Sequence, residues 1–288
     1  MPPAFAGVNK NSSRPAFGEY MAIQAAILGA PFAFIGRQII LAVRELGGWG
    51  IFTGLAFWHI LSMPWQFRKI LAQVYFIGSR SIFVIALVGM FTGMVLGLQG
   101  YYTLVKFGSE GVLGALVALS LIRELGPVLT AIMITARAGS AMAAEIGIMR
   151  ISEQIDALDT MDINPVRFMV SPKMAASLFS FPLLTALFNV FGILGGYISG
   201  VALLHLSHGD YFYRIETNVV MQDVTGGFVK SVFFALLVSS ICCYQGYFTH
   251  LRQDGFGARG VSQATTSAVV ISCVAILVWD YVLTSFLL

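Results

Sequence analysis

Residues 111–136 read GVLGALVALSLIRELGPVLTAIMITA, two uncharged apolar runs of similar length separated by one adjacent charged pair, Arg123-Glu124. A bilayer core about 30 Å thick takes roughly 20 consecutive apolar residues in helix. This stretch is long enough, and its charges fall in the middle. A charge at mid-span costs at least about 2.5–3.5 kcal/mol and rarely faces lipid. The pair therefore points to a partner helix or a polar cavity. Two readings stay open: an internal ion-pair network that locks helices together, or contact with a polar group of a substrate. Adjacent residues diverge by about 100° around a helix, so each needs its own partner. Gln99 and Lys230 are the candidates.

The composition of the whole chain fits this reading. Its 288 residues are 57% hydrophobic and 11% charged, against roughly 45–50% and 25% in soluble domains. The fold class is an all-α integral membrane protein with about five transmembrane helices. By uncharged length they cover residues 82–105, 111–136, 174–204, 231–249 and 267–288. N-terminal interfacial or elbow helices come first. Residues 1–64 form an N-terminal region, interrupted by Arg37, Arg44, Glu45 and Pro64, and residues 65–288 form the membrane domain. Trp65, Arg68, Lys69, Gln73 and Tyr75 alternate with apolar residues in a pattern suited to the headgroup level.

The net charge of +3 implies no nucleic-acid partner, because the excess basic residues mark cytoplasmic loops. One side holds Arg68, Lys69, Arg80, Arg137, Arg150, Arg167, Lys173, Arg252 and Arg259; the other holds Lys106, Arg214 and Lys230. That asymmetry puts the loops around 145–170 and 250–262 in the cytoplasm and residues 207–228 outside. The N-terminus, which shows no signal peptide, is expected in the cytoplasm and the C-terminus in the periplasm.

Small residues recur every four positions at Gly89, Gly93 and Gly97 and again at Gly192, Gly196 and Gly200. Each set lies on one helix face and favours close packing in lipid. Enzyme signatures are sparse: HExxH, GxSxG and GxxxxGK[ST] are missing. Residues 255–260 match GxGxxG, but without the strand and βαβ unit the motif needs, so they read as a turn. Cys242, Cys243 and Cys273 sit in apolar stretches and read as packing residues, with no metal or other cofactor implied in this chain. His59, His205, His208 and His250 fall near span ends. A membrane-embedded lipid-modifying enzyme, resting on Glu124 or Asp280, lacks a partnering His, Ser or metal set.

Residues 145–162 place Ile148, Ile151, Ile155 and Leu158 on one face of a short cytoplasmic helix. Arg150, Glu153, Asp156 and Asp159 lie on the others, and Asn164-Pro165 ends it. Such a stripe suits either the membrane boundary or another protein's groove.

Four segments together resemble the MlaE family, permease subunits of ABC systems that move phospholipids between the inner and outer membranes of Gram-negative bacteria. They are GMVLGLQGY at 93–101, LVALSLIRELGPV at 116–128, ARAGSAMAAEIGIMRISEQIDAL at 136–158 and RGVSQATTSAVV at 259–270. The resemblance runs from about Trp65 to the end. It implies an inner-membrane homodimer that helps maintain outer-membrane lipid asymmetry, with a lipid pocket between the two copies. ATP would be bound by two copies of a cytoplasmic ATPase subunit. Further implied partners are a periplasmic ring of MCE-domain subunits, a small cytoplasmic accessory subunit and the phospholipid itself; sterol is an alternative cargo. By the same resemblance, Leu96, Gln99, Leu104 and Phe107 line or roof the pocket, with Arg123 and Glu124 as its polar lining; Lys230, the candidate partner read from the spans, is counted with the substrate-binding residues. Glu145, Ile148, Ile151, Glu153, Ile155, Asp156 and Leu158 belong to the ATPase-coupling helix. Phe107 stands where the family often has a tyrosine.

Overall fold

The computed structural model describes residues 17–61, 66–251 and 257–287, and no strand occurs among them. Two compact units are formed, Met1–Gly50 and Ile51–Leu288. The helices are α1 (Phe17–Leu61), α2 (Phe67–Ile77), α3 (Ile82–Leu104), α4 (Leu113–Ser120), α5 (Gly126–Ile134), α6 (Ser140–Ile151), α7 (Gln154–Thr160), α8 (Ser171–Tyr197), α9 (His208–Asn218), α10 (Met221–Tyr247) and α11 (Gly257–Leu287). Among the described residues six helical segments are long and apolar enough to cross a membrane: Gly36–Ile60, Phe67–Phe107, Glu110–Ile151, Val166–Leu203, Met221–Tyr247 and Gly257–Leu287. This is a multi-pass membrane protein.

Five of those segments coincide with the expected spans to within two residues at their C-terminal ends or extend beyond them. The sixth is new: where separate interfacial helices were expected before Pro64, α1 runs unbroken past Gly47-Gly48. Glycine lowers helix propensity by only about 1 kcal/mol relative to alanine, too little by itself to stop the helix. The expected cytoplasmic N-terminus requires α1 to lie along the interface; a crossing helix puts it on the other side. The short α2 keeps the elbow character read from the sequence. Phe67, Leu71 and Tyr75 are exposed along one stripe while Ile77 is buried, and the turn at residues 78–81 leads into α3.

The span boundaries also move. The segment from Glu110 to Ile151 does not end at Arg137 but continues through two π-helical turns, Leu121–Leu125 and Thr135–Gly139. Arg137 lies in the second turn, where it donates to Ser81 Oγ (2.6 Å) and to the Phe76 carbonyl (3.3 Å), tying it to the elbow. α10 starts ten residues earlier than the charge-free run suggested. Its start is fixed by Asp223, whose Oδ2 accepts the Val220 N–H at 3.1 Å. α11 likewise begins earlier, so residues 257–260 of the GxGxxG match lie in its first turn; residues 252–256 are outside the described ones.

The glycine ladders pack against each other. A methyl added to Gly93 would collide with the Gly192 carbonyl, one on Gly89 would meet the Phe188 carbonyl at 2.8 Å, and one on Gly97 would strike Ser199. α3 and α8 thus touch backbone to backbone. Cys242 and Cys243 are buried in α10 as packing residues, and Cys273 is half-buried. Near the expected cytoplasmic end, Phe52, Ala56, Ile146, Ile155, Met169, Val170, Met174 and Cys243 form one apolar cluster. At the opposite end α9 folds over α4, with Tyr211 buried against Gly114 and donating to the Ile193 carbonyl at 3.1 Å. Burial pushes the Tyr211 phenol above its ordinary range.

Candidate charged site within the membrane spans

The first π turn builds the site. Gly126 N–H bonds back five residues to the Leu121 carbonyl, widening the helix. Pro127 follows and has no N–H, so the Arg123 carbonyl, four residues earlier, loses its α-helical donor. Lys230 of α10 supplies one instead, donating from Nζ at 3.0 Å. α10 can come this close because Gly227 faces the turn; a side chain there would run into the Ile122 carbonyl.

The two central charges diverge and find separate partners. Arg123 Nε donates to Asp223 Oδ1 at 2.8 Å. Lys230 Nζ donates to Glu124 Oε2 at 2.6 Å and to Thr284 Oγ1 at 2.7 Å. It also lies 3.2 Å from Asp280 Oδ1, an ion pair without the alignment of a hydrogen bond. The Thr284 hydroxyl stands 2.8 Å from the Asp280 carbonyl and 3.2 Å from both Glu124 oxygens, and its single proton serves one of them. Two cations against three carboxylates leave one formal negative charge. The burial is uneven: the side chain of Lys230 is 3% exposed, those of Glu124 and Arg123 38% and 41%. A cavity of about 260 Å³ opens beside them, lined further by Gln222, Gly226 and Leu287.

Sequence reasoning placed Arg123, Glu124 and Lys230 here, and the structure brings them together. It missed Asp223, Asp280 and Thr284 as members, and Gln99 is not one: it is exposed on α3. Leu96, Gln99, Leu104 and Phe107 do not line the charged cavity within one subunit. Leu96 borders a shallow apolar hollow of about 390 Å³ with Leu87, Val88, Phe91, Thr92 and Val95. Leu104 is half-buried, and Phe107 is 77% exposed.

The expected coupling helix is broken. α6 ends at Ile151, Glu153 takes a left-handed φ of 58°, and α7 starts afresh at Gln154. Ser152 helps stop α6 by donating its hydroxyl to the Ile148 carbonyl at 2.8 Å, next to its own N–H bond to that oxygen. The apolar stripe splits accordingly. Ile155 is fully buried in the apolar cluster with Ile146 and Met174, and Leu158 packs against that cluster; Ile151 is half-buried and Ile148 is 55% exposed. Glu145 binds the buried Lys173 at 2.6 Å and Asp156 binds Arg150 at 2.7 Å. Arg150 Nε also donates to His250 Nδ1 at 3.0 Å. Burial and then that guanidinium hold the His250 imidazole below its ordinary value.

With this geometry in view, the chain was compared with known proteins. The family described as Permease MlaE matches residues 70–286. The intermembrane phospholipid transport system permease protein MlaE of Haemophilus influenzae is 40% identical over 258 residues, covering 88% of this chain and 95% of that one. A probable ABC transporter permease protein of Rickettsia bellii is 39% identical over 250 residues, 87% of this chain and 95% of that one. The chloroplastic protein TRIGALACTOSYLDIACYLGLYCEROL 1 of Arabidopsis thaliana is 34% identical over 245 residues, 82% of this chain and 66% of its own length. A match over residues 70–286, most of the chain, identifies the chain as a permease of the MlaE family.

Proposed function

We propose that this permease forms the membrane pathway for phospholipids in an ABC transporter of the bacterial inner membrane, and that ATP is hydrolysed by a separate cytoplasmic subunit. The observation that carries the reading is the network of five charged side chains set inside membrane-spanning helices beside a cavity. An isolated structural ion pair needs neither the cavity nor the half-exposed faces of Arg123 and Glu124. A phospholipid headgroup needs both: a cation that can reach a phosphate, and acceptors for its polar substituents. The name of the Haemophilus relative supports the same substrate class.

The working unit is a homodimer. The apolar face of α3 around Leu96 is exposed in one subunit. An isologous contact would set the same patch from each copy about a shared twofold axis. There Leu96, Gln99, Leu104 and Phe107 of both copies offer walls for acyl chains, with the charged seams as polar lining. Two ATPase copies dock on the cytoplasmic side at the α6–α7 break. In that arrangement Ile155 and Leu158 seat α7 in the subunit's own core, while Ile148, Glu145 and Glu153 meet the partner. The loops around 145–170 face the cytoplasm and α11 ends at the periplasmic face, toward an MCE-domain ring. A small cytoplasmic accessory subunit completes the assembly.

The test is reconstitution of the purified chain, with and without its nucleotide-binding partner, in liposomes holding a fluorescent phospholipid. ATP-dependent transfer to acceptor vesicles is expected only with both chains present. Transfer that needs neither the partner nor ATP would overturn the transporter reading.

A further inference from the structure

Away from the charged cavity, a larger groove of about 1010 Å³ runs between the elbow and α8. It is lined by small residues, Ala72, Gly78 and Ser180 among them, and by large ones, including Leu71, Tyr75, Phe179 and Leu183. Arg68, in the first turn of α2, lies at the same groove and is exposed. Its neighbour Lys69 is turned the other way, packed over the Phe168 ring. Only one basic residue of the pair is therefore presented to the groove. Ser180 is 1% exposed and its hydroxyl has no hydrogen-bond partner, an uncommon state for a buried polar atom.

We infer that this groove is a phospholipid site, separate from the charged cavity, in which an acyl chain lies along the apolar lining and the lipid phosphate meets Arg68. The inference goes beyond the transport reading and rests only on the chain lying in a bilayer. The volume lies at the upper end of the roughly 300–1,000 Å³ of small-molecule sites. The chemistry is split as a phospholipid is: an apolar trough ending at a guanidinium, which pairs with phosphate in two-point hydrogen bonds. A basic, aromatic amphipathic helix such as α2 belongs at headgroup depth, which puts Arg68 where phosphates are. A partner's transmembrane helix fits less well. Helices associate in lipid where small residues let backbones touch, and the small-residue faces of α3 and α8 are already spent on each other. The large side chains that line this groove hold a helix backbone away.

The experiment uses the full chain in nanodiscs containing phosphatidylglycerol with a photoreactive group at the end of one acyl chain, and, separately, diacylglycerol carrying the same chains. Labelled peptides are mapped by mass spectrometry. Labelling is expected to concentrate on α2 and on residues 179–190, above the level on the exposed face of α11 around Val274 and Val278. Arg68→Gln should lower phosphatidylglycerol labelling there by about tenfold, or ~1.4 kcal/mol, and leave diacylglycerol labelling unchanged. Ala186→Trp, which fills the groove, should remove both. Labelling no stronger than on that face of α11, or indifferent to Arg68→Gln, would overturn the site. So would a photoreactive residue at Leu183 that captures a partner's transmembrane segment in cells instead of lipid.

Discussion

Two helix contacts inside the membrane domain solve the same problem in opposite ways. Between α3 and α8 the glycines remove the side chains, and the backbones meet with no room for another group. Between the π turn at Leu121–Leu125 and α10, one glycine, Gly227, also brings backbones together, but charges are placed beside the contact and a cavity stays open. The first contact gains from close packing alone and has a single arrangement. The second holds its charges through partners that can be exchanged: Arg123 and Glu124 are each more than a third exposed, while Lys230 is buried among four acceptors. A seam that must stay fixed is built from backbone, and one that must respond to a polar ligand from buried charge next to water or headgroup.

The contrast is broken most severely at the closed seam. Gly93→Leu puts a side chain into the Gly192 backbone, which neither helix can avoid without moving apart. Overpacking of this kind costs roughly 1–3 kcal/mol where side chains can shift, and more is expected where the obstacle is backbone. We expect the folded membrane yield to collapse, read by size-exclusion of fluorescently tagged protein; a normal monodisperse yield would show that the seam is not rigid.

Lys230→Met comes next. It strands Glu124 and Asp280 together, and breaking a buried charge cluster costs about 3–5 kcal/mol, lowered here by the adjoining cavity. A melting temperature several degrees lower and loss of lipid transfer are expected. An unchanged melting temperature would mean the lysine is not holding the seam.

Smaller effects are expected at the half-exposed pair. If Arg123 and Glu124 stabilised each other, Arg123→Ala and Glu124→Gln would each lower the yield and the double variant would recover it. Their side chains pair with different residues, so no recovery is expected in the double variant, although both touch Lys230 and the two changes can couple by about 0.5–3 kcal/mol. Recovery in the double variant would contradict the geometry. The least effect is expected of Pro127→Ala. It returns an N–H to the helix that competes with Lys230 for the Arg123 carbonyl, a change worth about 0.5–1.5 kcal/mol. Melting of the variant should move slightly in either direction while transfer falls; unchanged transfer would remove the proline from the design of the site.

The sequence carried much of the fold because spans, charges at mid-span and small residues at four-residue spacing are all local signals. Arg123-Glu124 announced a polar site, Lys230 was identifiable as a lone basic residue at the edge of an apolar run, and the facing glycines were visible as two ladders. Asp223 and Thr284 were not, because they join the site through packing of α10 and α11 against the turn, which leaves no periodic trace. The uncharged-run criterion itself hid Asp223: it excluded the first ten residues of α10, so a carboxylate inside the helix looked like part of a loop. The same criterion ended the second span at Arg137, whose charge is satisfied by Ser81 and the Phe76 carbonyl from the elbow. The broken coupling helix escaped for a different reason. Ile148, Ile151, Ile155 and Leu158 keep helical spacing across residues 152–153, and only the left-handed backbone at Glu153 turns the second half into the core.

The most direct test of a responsive charged seam is ATP-driven phospholipid transfer by Glu124→Gln, reconstituted with the ATPase partner and normalised to assembled complex. Glutamine keeps the shape and an acceptor for Lys230 but removes the charge, and the position is solvated enough to tolerate it. Assembly equal to the unmodified protein is expected, with transfer reduced about tenfold or more, the effect of ~1.4 kcal/mol at the step where the headgroup passes. Transfer that stays proportional to assembled complex would contradict that role and leave the network as a purely structural lock.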